Sequence, residues 1–352
     1  MRHPTLSMKE HKIVVVTPAG RRRYLEILSR YVLRDESIDE WHLWDNCRDE
    51  TDRAYIRKLA SENEKVVVVE EPGVDGTNRS VSRFYKYTRN PEAFFIKLDD
   101  DIVYLPDHFG LKLYAKALAE KERCSWWSPL VINNAICTYL LREEGVIRTK
   151  APLTAQANCP IAWGSPLFAR NLHETLLNTV RDMGSSWEDI WKLSKDYPIF
   201  LQRFSINAIG FFGELSAQLG DDFCPENADD EEHISARLPL LTGKPGCLVG
   251  GLLAVHFSFH TQENYLLKTA LLEGYSRLAG LSQAETALLQ GKNGVGEFKS
   301  YGKWIKRRLA DLMKSNLKVF LNEILGYYFP RQIEHYRVDL GKRTISSSMG
   351  KR

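Results

Sequence analysis

The segment FFIKLDDDIVYL, residues 94–105, runs apolar residues straight into three consecutive carboxylates and resumes at once with Ile102 and Val103. Asp99, Asp100 and Asp101 repel one another, and partial burial raises the cost of keeping them charged. Such a triplet persists most easily beside a cation. Oxygen donors on a loop are what Mg²⁺ and Mn²⁺ prefer. The competing reading is a solvated acidic turn, since Asp favours turns; the hydrophobic frame on both sides weighs against it.

Chemistry at that position needs a strand to hold it. Ala93–Phe94–Phe95–Ile96 followed by Leu98 is apolar on both faces and rich in aromatic and β-branched residues, the pattern of a buried strand. The carboxylates then fall at its C-terminal end, the edge where open α/β sheets place ligands. The first hundred residues alternate strand-like and helix-like segments, which predicts an α/β fold with a mostly parallel sheet flanked by helices. KIVVVTP (12–18), EWHLWD (40–45) and KVVVVEE (65–71) read as strands. RRRYLEILSRYVLR (21–34), ETDRAYIRKLASEN (50–63) and TNRSVSRFYKYTRN (77–90) read as helices. Beyond residue 106, DHFGLKLYAKALAEKE predicts a helix with Asp107 as N-cap, and CSWWSPLVIN predicts a strand. Residues 150–165 form a Pro/Gly-punctuated loop of the length that is often functional. CLVGGLLAVHFSFH is strand-like, and the chain after residue 262 reads as helices.

The chain of 352 residues, 43% hydrophobic, can bury a substantial core, and its net charge of +3 makes no demand for nucleic acid as a partner. Six cysteines without CxxC spacing predict reduced thiols and neither a structural zinc site nor a disulfide framework. MRHPTLSMKEHK has no apolar core of a secretory signal, and GCLVGGLLAVHFSF is too short and glycine-rich to span a bilayer. The expectation is a cytoplasmic protein.

The order of Thr17–Pro18 closing a strand, then LWDNCRDETD, DGTNRSVSRFY and FFIKLDDDIVYLPDHF, resembles the nucleotide-sugar-binding half of GT-A glycosyltransferases, particularly family 2. It covers roughly residues 12–110. The resemblance implies a GT-A fold and a DxD motif in which Asp99 and Asp101 flank Asp100. It further implies metal binding by Asp101 and Asp99, and a uracil contact from Asp45. Thr17 and Pro18 border the nucleotide, and Arg83 faces the diphosphate or donor sugar. A divalent ion on such carboxylates stabilises the charge of a departing diphosphate.

The same resemblance assigns the cluster Asp229–Glu232, ahead of HISARLP, to the family's acidic pair. Counting back from Arg237 puts Glu231 at the position of the general base, with Asp230 beside it; the family's order is Glu then Asp, here reversed. Read without the resemblance, these carboxylates open a helix and complement its dipole. A late histidine completes the metal site in many such enzymes, which selects His256 in LAVHFSFH with His260 as substitute. A lone histidine on an apolar strand otherwise belongs to the core. Trp163 and Gly164 of CPIAWGSPLF match the segment facing acceptor and donor sugars, whereas Trp126, Trp127 and Trp187 read more readily as core, as do Phe211 and Phe212.

The division implied is an N-terminal segment 1–11, a donor-binding half 12–110, an acceptor and catalytic half 111–262, a helical extension 263–340 and a basic tail 341–352. Within the extension, residues 301–325 place an apolar stripe beside crowded lysines and arginines, a pattern for docking on protein or on an anionic membrane surface. The function implied is Mn²⁺- or Mg²⁺-dependent transfer of a sugar, UDP-linked given Asp45, to a hydroxyl of a glycan or lipid-linked glycan with inversion. The rivals are a sugar nucleotidyltransferase, for which TPAGRRR (17–23) offers a phosphate loop, and a non-catalytic carbohydrate-binding protein.

Overall fold

In the computed structural model, residues 9–290 and 336–341 are described. The strands are β1 (Lys12–Ala19), β2 (Glu40–Asp45), β3 (Val66–Val69), β4 (Ala93–Leu98), β5 (Ile102–Tyr104), β6 (Trp126–Ile132), β7 (Ile147–Arg148), β8 (Tyr197–Ile199), β9 (Ala208–Phe212), β10 (Gly246–His256) and β11 (Asp339–Leu340). One sheet runs in the order β3-β2-β1-β4-β9-β6-β10-β5, with β8 also paired to β10. β1, β2, β3, β4, β6 and β10 run one way, and β5, β8 and β9 run against them. The fold is the α/β arrangement with a mostly parallel sheet that the sequence predicts. β7 and β11 form a separate small pair.

β4 is buried at all six positions because helices cover both faces of the sheet. Burying Phe94 or Phe95 stabilises the fold by about 2 kcal/mol each. Helix α1 (Arg22–Arg34) sets Tyr24, Leu25, Leu28, Tyr31 and Val32 on the face turned to the sheet. In α2 (Glu50–Glu62) the side chain of Asp49 accepts from the Thr51 N–H, satisfying a free donor of the first turn. α3 (Phe109–Ala119) packs against β6, β9 and β10. α4 (Ala135–Glu143) is capped by the Asn134 side chain, and α5 (Pro166–Met183) by Ser165.

Two local expectations change. Asp107 does not cap α3: His108 holds that position at φ 57°, and Asp107 instead lies 3.3 Å from Arg34 at the surface. The helix predicted over 77–90 is a run of 3₁₀ turns, Asn78–Thr88, entered through the positive-φ glycines Gly73 and Gly76. β2 is buried on both faces near its end, since Trp44 packs flat on Phe84 with centroids 5.3 Å apart.

Antiparallel β9 lies between β4 and β6, so the stretches 12–110 and 111–262 share one sheet and one core. Of the helical extension, Glu263–Leu266, Leu271–Leu278 and Gln283–Gln290 are helical as expected. The basic amphipathic stretch 301–325 lies outside the described residues, as do 1–8 and 342–352. No helix among the described residues is long and apolar enough to cross a membrane.

Candidate metal and active centre

Because six strands run parallel, the ends of β1, β2, β4, β6 and β10 share one edge of the sheet. β1 connects outward to β2 and β3, and the chain then crosses back to place β4 on the other side of β1. That reversal is the topological switch point where α/β sheets open a crevice. Asp99–Asp101 follow β4 there, and Gly20 and Arg21 follow β1.

The aspartates form a tight turn closed by the Ile102 N–H to the Asp99 carbonyl at 3.2 Å. β5 then pairs with the end of β10, Ile102 opposite His256, and the Phe257 N–H donates to the Asp101 carbonyl at 2.9 Å. This pairing carries His256 to the triplet. Ligand atoms of Asp99, Asp101 and His256 lie within 4.8 Å of one another.

Each carboxylate has a different setting. Asp99 accepts from Lys97 Nζ and, at 3.0 Å, from Asn207 Nδ2. Asp100 is buried and accepts from the Gly20 N–H at 3.1 Å and from the Arg21 guanidinium. Asp101, 1% exposed, has Oδ2 3.1 Å from Arg21, while its Oδ1 faces His256 Nε2 at 3.4 Å and makes no well-formed hydrogen bond. His256 Nδ1 lies 3.3 Å from the Asn133 carbonyl, which can only accept, so Nδ1 carries a proton; Nε2 faces Asp101, as a donor when the ring is protonated and as a metal ligand when it is neutral. A buried carboxylate oxygen without a well-formed hydrogen bond, a second carboxylate and an oriented imidazole fit a divalent ion of the Mn²⁺ or Mg²⁺ class.

Charge follows the same geometry. Burial would raise the Asp101 pKa, but Arg21 and His256 outweigh it and hold the group well below the usual carboxylate range. Burial pushes Asp100 up against the opposing pull of Arg21. His256 is disfavoured as a cation by burial, yet Asp101 raises its pKa. Lys97, 4% exposed, is likewise desolvated but kept charged by Asp99 and Asp230.

The second acidic cluster divides by orientation. The Glu231 carboxylate accepts from Arg203 Nε at 2.6 Å, and the same arginine takes Asp229 at 2.9 Å. Asp229 caps the short helix Asp230–Glu232 by accepting from the Glu232 N–H at 3.0 Å, so the dipole role falls to it. Asp230 turns the other way: its Oδ2 accepts from the Tyr85 hydroxyl at 3.1 Å. Burial raises its pKa to about 6 against the pull of Lys97, with Asp99 and Glu231 adding to the rise. Asp230, half-buried, is therefore the member that feels the metal-side groups, and Glu231 is held in an arginine clamp.

The remaining expected residues are dispersed. Thr17 is fully buried and accepts from the Trp41 indole at 3.0 Å, so it braces β1 and does not line the crevice. Pro18 is half-buried on the same strand. Asp45, 8% exposed, accepts from the Cys47 N–H at 3.1 Å with one oxygen and from Arg53 at 2.8 Å with the other. Arg83 donates to the Pro72 carbonyl at 3.3 Å and faces Glu226 at 3.8 Å, joining two loops. Trp163 is half-buried, its ring edge-on to exposed His260 at 5.1 Å, and Gly164 is buried beside it. His256, not His260, joins the acidic cluster. Trp126, Trp127, Trp187, Phe211 and Phe212 are core, as expected.

Sequence reasoning missed Arg21, which bridges Asp100, Asp101 and Glu263, and Tyr85. It also missed a buried amide layer: Asn134 donates to Asn207 at 3.1 Å, and Asn133 donates to Gln262 at 3.0 Å. A glycine followed by arginine where an apolar strand ends was the available signal for Arg21.

No family model and no curated sequence matches the chain. Solved structures resemble it in layout. A mannosyltransferase from Pyrobaculum calidifontis, in complex with GDP-Man and Mn²⁺, is 13% identical with a TM-score of 0.41, covering 84% of each chain. Glucosyl-3-phosphoglycerate synthase from Mycobacterium tuberculosis, with Mn²⁺ and UDP-glucose, is 15% identical with a TM-score of 0.41, covering 81% of this chain and 87% of that one. A 4-diphosphocytidyl-2C-methyl-D-erythritol synthase from Anaerococcus prevotii is 12% identical at a TM-score of 0.37, covering 78% and 99%. These likenesses are of layout, and the functional reading rests on the site's own residues.

Proposed function

We propose that this chain is a metal-dependent glycosyltransferase of GT-A type that moves a sugar from a nucleoside diphosphate to a hydroxyl of a glycan or lipid-linked glycan, with inversion. The observation that carries the reading is the convergence of Asp99, Asp101 and His256 at the switch point, with Asp101 Oδ1 buried and making no well-formed hydrogen bond. A divalent ion held there supplies positive charge to a diphosphate leaving group. Arg21 stands at the same carboxylates and can turn one of its donors to a phosphate oxygen. Asp230 takes the acceptor proton as that oxygen attacks the anomeric carbon; in support, a pKa of about 6 leaves it ionised at neutral pH yet basic enough to accept. Glu231, neutralised by Arg203, shapes the acceptor rim.

Uridine is the base proposed, on the position of Asp45 at the end of β2, with Arg53 moving aside or sharing the carboxylate. The nucleotidyltransferase reading loses support because it leaves the pairing of Asp230 with Tyr85 without a role.

A thermal-shift screen of nucleotides and nucleotide sugars with and without Mn²⁺ tests the proposal. Stabilisation by UDP or a UDP-sugar only with metal is expected. The Asp101→Ala chain is expected to remain folded, lose that response and turn over at least about 100-fold more slowly. A folded wild-type protein that ignores every nucleotide would overturn the reading, as would incorporation of a nucleotide with release of pyrophosphate.

A further inference from the structure

The opposite edge of the sheet carries a second group of ligand-type side chains. Cys247 opens β10, level with Trp127 on β6, and the Ser125 N–H donates to the Pro245 carbonyl at 2.8 Å. This pairing brings Cys124, in the turn before β6, beside Cys247. Past the end of α3 the chain keeps a helical turn, the Cys124 N–H donating to the Glu120 carbonyl at 3.1 Å, so Glu120 and Cys124 face the same way. The three ligand atoms of Glu120, Cys124 and Cys247 lie within 4.8 Å of one another.

We propose that Glu120, Cys124 and Cys247 form a binding site for a thiophilic divalent cation of the Zn²⁺ class. The spacing suits tetrahedral coordination: bonds of about 2.3 Å to sulfur and about 2.1 Å to oxygen put such ligands about 3.6 Å apart, and Cys247 Sγ lies 3.5 Å from Glu120 Oε2. Cys247 is 4% exposed and Cys124 is half-buried, so the site is sheltered but reachable. Lys116 lies 2.8 Å from Glu120 and 2.6 Å from Asp196, so it keeps a partner when Glu120 turns to the metal. Two thiolates select a softer ion than the Asp/Asp/His set at the other edge. Cys247 is level with Trp127 and Val255 with Ile132, five residues further along β6, so Cys247 and His256 lie roughly 20 Å apart along the sheet; the two sites are independent, and this one does not rest on the proposed activity.

The test uses the full chain with thiols reduced, titrated with Cd²⁺ and Zn²⁺. Expected is a sulfur-to-cadmium charge-transfer band saturating at one equivalent, unchanged in Asp101→Ala. Cys124→Ser should weaken binding at least tenfold, Glu120→Gln about tenfold, and the double change Cys124→Ser, Cys247→Ser should abolish the band. A measurement without variants is alkylation of Cys124, which Zn²⁺ should slow at least tenfold. Absence of the band in the reduced wild type, its survival in the double variant, undiminished alkylation under Zn²⁺, or a Cys124–Cys247 disulfide forming in place of metal binding would overturn the proposal.

Discussion

At the scale of residues, the pairing of Asp230 with Tyr85 makes the strongest claim. Its pKa rises from 3.8 to about 6, chiefly by burial. A carboxyl whose folded pKa is raised favours the fold fully below its unfolded value, and that contribution is lost as pH climbs through about 6. At pH 7.5 the ionised group therefore costs stability, about 1–2 kcal/mol once its partial exposure is allowed for. Asp230→Asn should raise the melting temperature by a few degrees at pH 7.5, with the gain vanishing near pH 4. If Asp230 is the base, the same change should cut sugar transfer by at least about 100-fold. An unchanged melting temperature at pH 7.5 would count against the burial argument, and unchanged turnover against the role. The acidic triplet stood out in the sequence because an apolar strand running into three carboxylates calls for cations nearby, which Arg21, Lys97 and His256 supply. The choice between Asp230 and Glu231 was not legible, since it depends on Arg203 and Tyr85, remote in sequence from the cluster and from each other.

At the scale of elements, β9 decides the geometry, because Asn207 at its start holds Asp99 while its far end must meet the loop before β4. Just past that far end comes Gly213, where a Cβ would stand 1.9 Å from the Asn90 carbonyl oxygen. Gly213→Ala should destabilise the protein by about 3 kcal/mol, since the clash is with backbone and cannot be relieved by a rotamer; urea unfolding measures it, and a midpoint equal to wild type would refute the contact. β1 to β4 were readable because their apolar runs are short and bounded by turn residues. The 3₁₀ run at 78–88 and the amide layer of Asn133, Asn134 and Asn207 were not, since irregular backbone and scattered amides leave no period in the sequence. Asp107 looked like a cap on residue type alone, yet the chain reaches α3 through a left-handed His108 that puts Asp107 one residue too early.

At the scale of the whole molecule, the core extends behind the site to His173, which lies 2.6 Å from the Tyr275 hydroxyl and 2.9 Å from the Phe257 carbonyl. Burial lowers its pKa from 6.5 to about 3. The unfolded chain takes up this proton below about 6.5 and the folded chain does not until about 3, so stability from this group falls with acidification across that window. His173→Gln should flatten the decline in melting temperature between pH 6.5 and pH 4; an identical slope would show that the decline comes from other groups. The charges at the switch point bear on a different matter, the order in which this molecule is assembled. Lys97 and Arg21 already answer three aspartates from within the chain, so the polypeptide can complete its fold in a cell short of metal and take its ion afterwards. Metal supply would then govern how many finished molecules are active, while the number of molecules that survive would be set by the polypeptide alone.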